Sequence, residues 1–247
     1  MDPFQKLVKL TEAEADADVK LYQSMLGLLM YAMIGTRPDL AFSVGALSKH
    51  AATPGAEHFR AMKRVYRYLQ GTKDLRLTYR GSPPGSEDDI SGDLLGYVDA
   101  DWASDINDRR SISGFVFMLS GSAITWSSKR QQSTALSSTE AEYMAASAAT
   151  KEAIWLRSFL SELGQLRLPY TVPLLIDNQS AIALIKNPEH HEQTKHIAVR
   201  YHFIRDAYED SVIEPEYVLT GDQVADVLTK PLAREKHTRF LNAMGLF

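Results

Sequence analysis

The stretch GSPPGSEDDISGD, Gly81 to Asp93, constrains this chain more than any other feature. Gly, Pro, Ser and acidic residues follow one another there without apolar periodicity, so it reads as a linker or exposed loop. The hydrophobic pattern differs on its two sides. Residues 1–80 carry helical spacing through Val19 to Ile34 and through His58 to Leu69, with a third helix from Asp39 to Lys49. Pro38 stands at the start of that third helix with Asp39 in its first turn, where a fixed φ and a negative charge suit a helix N-terminus. Thr72 to Tyr79 alternates and reads as a strand or hairpin arm. This first unit is mainly helical and holds no cluster of chemistry-bearing residues.

Residues 94–247 read differently. Leu94 to Val98, Gly114 to Leu119 and Ala123 to Ser127 are short strands, with Ser120-Gly121 as a tight turn between the last two. Ser138 to Leu163 is a long helix ended by Gly164. A strand at Val172 to Ile176, helices at Asn178 to Ile185 and Thr194 to Tyr208, and a strand at Glu214 to Val218 follow; two helices close the chain. Three sequential strands, then helices alternating with two more, predict an α/β fold: a mixed sheet with helices packed on it.

At 247 residues, 45% hydrophobic and 23% charged, the composition is that of a globular chain of one large or two modest domains. No cysteine is present, which excludes disulfide scaffolds, thiol nucleophiles and Cys-based zinc sites. Without Cys partners, His190, His191 and His196 do not make a zinc site. The net charge of −4 excludes a bulk polycation, so nucleic-acid contact has to rest on local basic patches. The longest apolar run, near Leu26 to Ile34, is far short of the roughly 20 residues a membrane span needs. The opening MDPFQKLVKL lacks the apolar core of a secretory signal. No membrane partner, no small-molecule cofactor and an intracellular location are expected.

The acidic residues carry the chemistry. Asp99 ends the first strand in LLGYVDADWA, and Asp177 ends the fourth in PLLIDNQSA. The long helix carries Glu140 and Glu142 in STEAEYMAA, and Asp226 lies in DQVADVLTKPL. A lone Asp after a strand is more often a cap, but two strand-end carboxylates side by side repel unless a cation lies between them. Convergent carboxylates form a hard oxygen cage for Mg²⁺ or Mn²⁺. Two such ions, roughly 3.5–4 Å apart, activate a water and stabilise the leaving oxygen in phosphodiester cleavage. Glu140 and Glu142 differ by about 200° around the helix. The apolar stripe of Ala141, Met144, Ala145, Ala148, Trp155 and Leu156 puts one at each of its edges, so periodicity leaves that choice open. Asp101 is assigned no metal role.

Several segments in one order extend this reading. YVDADWASD, RRSISGFVFML, AITWSSKRQQSTALSSTEAEYMA, LLIDNQSAIALIKNP, TKHIAVRYHFIRD and DQVADVLTKPL together closely resemble the ribonuclease H region of copia-type retrotransposon polyproteins. YQSMLGLLMYAMIGTRPDLAFSVGALSKH and HFRAMKRVYRYLQGTKDLRLTY resemble what precedes it there, the end of the reverse transcriptase. The resemblance implies a C-terminal reverse transcriptase or connection region at 1–80, a linker at 81–93 and a ribonuclease H-like domain at 94–247. It implies a five-stranded ribonuclease H-like sheet and a two-ion Mg²⁺ site, with Mn²⁺ able to substitute. Its four carboxylates are Asp99, Glu142, Asp177 and Asp226; a Glu followed by an apolar residue, Met and Ala-Ala selects Glu142, which leaves Glu140 as a first-turn acid.

The implied activity is endonucleolytic cutting of the RNA strand of RNA–DNA hybrids during reverse transcription. The partners are the hybrid and a polymerase domain absent from this chain. The implied location is the cytoplasm, in retrotransposon particles, or the nucleus. The competing reading is a catalytically silent, nucleic-acid-binding remnant. Basic residues near the strand ends, Arg109-Arg110, Lys129 and Arg130, are candidate phosphate contacts, as are Lys195, Arg200 and Arg205 on one helix. Asn178, Gln179 and Ser180 follow Asp177 and are candidate minor-groove or 2′-hydroxyl contacts. Trp126 reads as core before it reads as a stacking surface. One departure from cellular ribonucleases H stands out: the loop LTGDQVAD has no His. His196, also a substrate-binding candidate, and His202 are the nearest replacements.

Overall fold

A computed structural model describes residues 7–11, 18–79, 94–187 and 198–247, without the side chains of 198–201. The stretch at 81–93, His190, His191, Lys195, His196 and the Arg200 side chain lie outside it.

Five strands make one sheet: β1 (Leu95–Asp101), β2 (Ile112–Leu119), β3 (Ser122–Arg130), β4 (Val172–Ile176) and β5 (Ile213–Tyr217), in the order β3-β2-β1-β4-β5. The first three pair antiparallel and β1-β4-β5 pair parallel, so the sheet is mixed, as expected. Ser120 and Gly121 both have positive φ, 52° and 75°, which is what a two-residue hairpin turn matching strand twist requires. One expectation needs correction. Asp99 does not end the first strand; pairing with β2 carries β1 on to Asp101, with Asp99 opposite Gly114.

Alternation sorts the side chains onto two faces. Val98, Ala100, Phe117, Leu174 and Ile176 pack with α4 (Ser138–Glu162), α5 (Gln179–Lys186) and α6 (Ala198–Glu209). Val116, Met118 and Tyr97 face α7 (Asp226–Thr229) and α8 (Arg234–Ala243). Ala141, Ala145, Ala149 and Ala153 are fully buried on α4, and their small size lets the helix lie close to the sheet. Ser137 caps its start by accepting from the Glu140 N–H, and Glu140 accepts in return from the Leu136 N–H at 2.7 Å. Gly164, at φ +69°, closes its end: the Gly164 and Gln165 N–H groups return to Ser161 and Leu160.

The N-terminal helices α1 (Val19–Gly35), α2 (Ala41–Ser48) and α3 (Ala56–Gly71) share their own apolar cluster, built on Tyr22, Leu29, Leu47 and Met62. They also touch the sheet. Trp126 of β3 donates its indole N–H to the Met33 carbonyl at 3.1 Å, a structural use of that aromatic. The Thr72–Tyr79 segment joins no sheet; it meets the C-terminal tail through an isolated bridge, Leu77 to Leu246, with reciprocal hydrogen bonds between Arg76 and Phe247.

Gly114 sets how closely α7 approaches β2. A Cβ there would lie 2.7 Å from Thr229 Cγ2 and 2.9 Å from Leu228 Cβ, so a larger residue lifts α7. Gly114→Ala is expected to lose about 1–3 kcal/mol of stability to overpacking, read as a lower urea midpoint. Gly45→Ala in α2, whose Cβ would meet nothing nearer than 3.8 Å, should instead gain about 0.5–1 kcal/mol from reduced chain entropy.

Candidate metal and catalytic centre

The parallel pairing of β1 with β4 runs to Val98 opposite Ile176, so the next residue on each strand is an aspartate, Asp99 and Asp177. Buried Gln223 pins the point where these strands part. Its Nε2 donates to the Val98 carbonyl at 2.8 Å and the Leu175 carbonyl at 3.3 Å, and its Oε1 accepts from the Ala225 N–H. From α4, Glu142 reaches the same place and accepts from the Ala100 N–H through Oε1 at 3.0 Å. One oxygen each of Asp99, Glu142 and Asp177 then lies within 4.8 Å of the others.

Burial dominates the electrostatics. Asp99, 2% exposed, is pushed up to about 6, first by loss of water and then by the Asp226 and Asp177 charges, against Lys230 and a Thr229 hydrogen bond. Glu142, 5% exposed, is raised well above the usual carboxylate range by burial, with the Asp99 charge adding to it. Its second oxygen, Oε2, is buried without a hydrogen-bond partner. A buried acidic oxygen left unpaired costs on the order of 1–3 kcal/mol or more. A hard divalent cation offsets that cost and draws only on oxygen donors, so this set fits Mg²⁺ or Mn²⁺.

Asp226 adjoins this trio in a different way. It opens α7, is fully buried, and carries two ammonium groups: Lys230 Nζ at 2.7 Å from Oδ1 and Lys236 Nζ at 2.6 Å from Oδ2. Lys230 Nζ also lies 3.6 Å from Asp99 Oδ2, the oxygen that accepts from the Thr229 hydroxyl. Burial alone would lower the Lys230 pKa, but the Asp99 and Asp226 charges outweigh it and hold the group above the ordinary lysine range.

The remaining candidates divide. Asn178 caps α5 by accepting from the Ala181 N–H at 3.0 Å, while Gln179 and Ser180 are exposed beside Asp177. Arg130 is paired with Asp108 and lies 3.9 Å from Asp105, so its charge is already engaged. Lys129 is exposed and stands two strands from Ala100 through Ser113, about 10 Å across the sheet. His202 is exposed on α6, and Glu140 belongs to the α4 cap. Sequence reasoning missed Gln223, Thr229, Lys230 and Lys236. The signal for two of them was present, since Thr229 and Lys230 follow Asp226 at the three- and four-residue spacings that share a helix face.

No family model matches the chain. It is 47% identical over 225 residues to a retrovirus-related Pol polyprotein from transposon TNT 1-94 of Nicotiana tabacum, a match covering 91% of this chain and 16% of that protein. It is also 50% identical over 135 residues to secreted RxLR effector protein 161 of Plasmopara viticola, covering 55% of this chain and 90% of that one. Among solved structures, the foamy viral protease-reverse transcriptase in complex with an RNA/DNA hybrid shares the fold. That match has a TM-score of 0.52 at 17% identity, over 84% of this chain and 26% of that one. With a ribonuclease H-like mixed sheet and near half-identity along almost its whole length, the chain belongs to the retrovirus-related Pol polyproteins of copia-type transposons, spanning about a sixth of their length.

Proposed function

We propose that this chain hydrolyses the RNA strand of RNA–DNA hybrids, using a divalent cation held by Asp99, Glu142 and Asp177. The observation that carries this reading is the convergence of those three carboxylates, two on neighbouring strands and one on α4, with a Glu142 oxygen left unpaired. Bound there, Mg²⁺ or Mn²⁺ would supply Lewis-acid activation of a water and neutralise charge on the departing oxygen. The protein's own part is to hold the donors still. Strand pairing fixes Asp99, the Ala100 N–H orients Glu142, and Gln223 locks the strand ends between which Asp177 emerges. Gln179 and Ser180, exposed beside Asp177, are the side chains assigned to reading a 2′-hydroxyl, the mark of RNA.

The substrate class follows the foamy viral protease-reverse transcriptase solved with such a hybrid, and the setting, beside a reverse transcriptase, follows that protein and the retrovirus-related Pol polyproteins. A catalytically silent, hybrid-binding module is the second reading, favoured by the ion pairs that already occupy Asp226. Among the described residues no helix is long and apolar enough to cross a membrane.

A labelled hybrid separates the two readings. The wild-type chain with Mg²⁺ is expected to cut RNA alone. Asp177→Asn should lower the rate by more than the roughly 10–100-fold that loss of an indirect ligand partner costs. Hybrid bound but left intact by the folded wild-type chain would establish the silent reading.

The raised carboxyl groups give a second test. Between about pH 4 and about pH 6 native Asp99 holds a proton that the unfolded chain has released, and Glu142 is shifted in the same direction, so these groups destabilise the metal-free fold increasingly as pH rises. Cation binding, which needs them ionised, strengthens over the same range. Glu142→Gln is therefore expected to melt higher than metal-free wild type, by about 2–4 °C per kcal/mol relieved. That difference should widen as pH rises and Glu142 gives up its proton. Mg²⁺ should raise the wild-type melting temperature and leave the variant's unchanged. Equal Mg²⁺ stabilisation of both would remove Glu142 from the cation site.

A further inference from the structure

Resting on the reading just given, we propose that this centre takes one divalent cation, at Asp99, Glu142 and Asp177, and that the Lys230 ammonium occupies the Asp99–Asp226 side in place of a second. The two sides of the cluster are built differently. On the α4 side, Glu142 Oε2 is buried and lacks a hydrogen-bond partner, and three carboxylates lie within mutual reach of one ion. On the α7 side, each Asp226 oxygen faces an ammonium group: Oδ1, which also lacks a hydrogen bond, is ion-paired with Lys230 at 2.7 Å, and Oδ2 accepts from Lys236 at 2.6 Å. Lys230 Nζ reaches on to Asp99 Oδ2 at 3.6 Å, so it bridges two carboxylates as an intervening cation does.

Charge agrees with this division. Of the charges on Asp99, Glu142, Asp177 and Asp226, two ammonium groups offset two and leave two for a divalent cation, with Asp101 adding a further negative charge on the Lys230 side. The local fold holds Lys230 in place: it lies one helical turn beyond Asp226, as the extended residue that ends α7, and Pro231 follows it. Its stem comes from the surface, with the side chain 31% exposed. Lys236 pairs with Asp226 and reaches away from the cluster to the Thr220 carbonyl at 3.4 Å.

A Mn²⁺ titration without nucleic acid, reading free ion by its paramagnetic resonance signal, tests this directly. Wild type is expected to saturate at one Mn²⁺ per chain. Lys230→Met, which keeps the stem and removes the charge, should take up a second ion at least about tenfold more tightly than wild type does. Lys230→Arg and Lys236→Met should remain at one. A Lys230→Met titration that superimposes on wild type overturns the proposal, and so does a wild-type chain that binds two ions of comparable affinity or none. The wild-type stoichiometry decides even where a variant fails to fold. Because the readout is binding, one-ion behaviour without hybrid cleavage would defeat the nuclease reading and leave this assignment standing.

Discussion

The parallel pairing of β1 with β4 sets Asp99, within β1, beside Asp177, just past the end of β4, and α4 brings Glu142 to the same place. Like charges this close, two of them almost wholly buried, repel and lose hydration together. Much of the surrounding architecture answers that repulsion. Thr229 and the Ala100 N–H donate to the carboxylates, two lysines converge on Asp226, and Gln223 holds the strands from parting. The cost is met incompletely on the α4 side, where a Glu142 oxygen has no partner. A site that keeps such a deficit through folding is suited to a ligand that removes it.

The α7 side depends on a backbone detail. Gly114 pairs with Asp99 across β1 and β2, and the absence of its side chain leaves room for Thr229 and Leu228. That contact brings the Thr229 hydroxyl and, one residue on, the Lys230 ammonium to Asp99. The same face carries Val116, Met118 and the apolar residues of α7 and α8, so the centre and the second core are one packing unit. The C-terminal tail then pairs with residues 76–78, which ties the N-terminal helices to that unit.

Much of this was legible in the sequence, for identifiable reasons. The apolar run Val172 to Ile176 stops at Asp177, so that strand end could be read directly. Asp99 was harder. The two aspartates after Val98, a residue type depleted in strands, hid the strand's continuation, which cross-strand pairing with β2 imposes rather than local propensity. The choice between Glu140 and Glu142 was undecided by periodicity, yet Ser137 and Glu140 have the spacing of a capping box, and Glu140 does serve the helix start, accepting from the Leu136 N–H while Ser137 accepts from the Glu140 N–H. The ion pair of Arg130 with Asp108 is a tertiary contact across 22 residues that the Lys129-Arg130 cluster in the sequence does not announce. Lys236 was beyond reach, because Pro231 breaks the helical register and only the α7–α8 turn returns its side chain to Asp226.

The central claim is that Asp99, Glu142 and Asp177 together hold a divalent cation. Anomalous diffraction from crystals of the wild-type chain grown with Mn²⁺ tests it most directly. The account predicts a strong manganese peak among those three carboxylates, with Glu142 Oε2 drawn onto it and the Lys230–Asp226 ion pair still in place. Crystals saturated with Mn²⁺ that show no peak there, or one coordinated by Asp226 with Lys230 displaced and Glu142 unengaged, would contradict it.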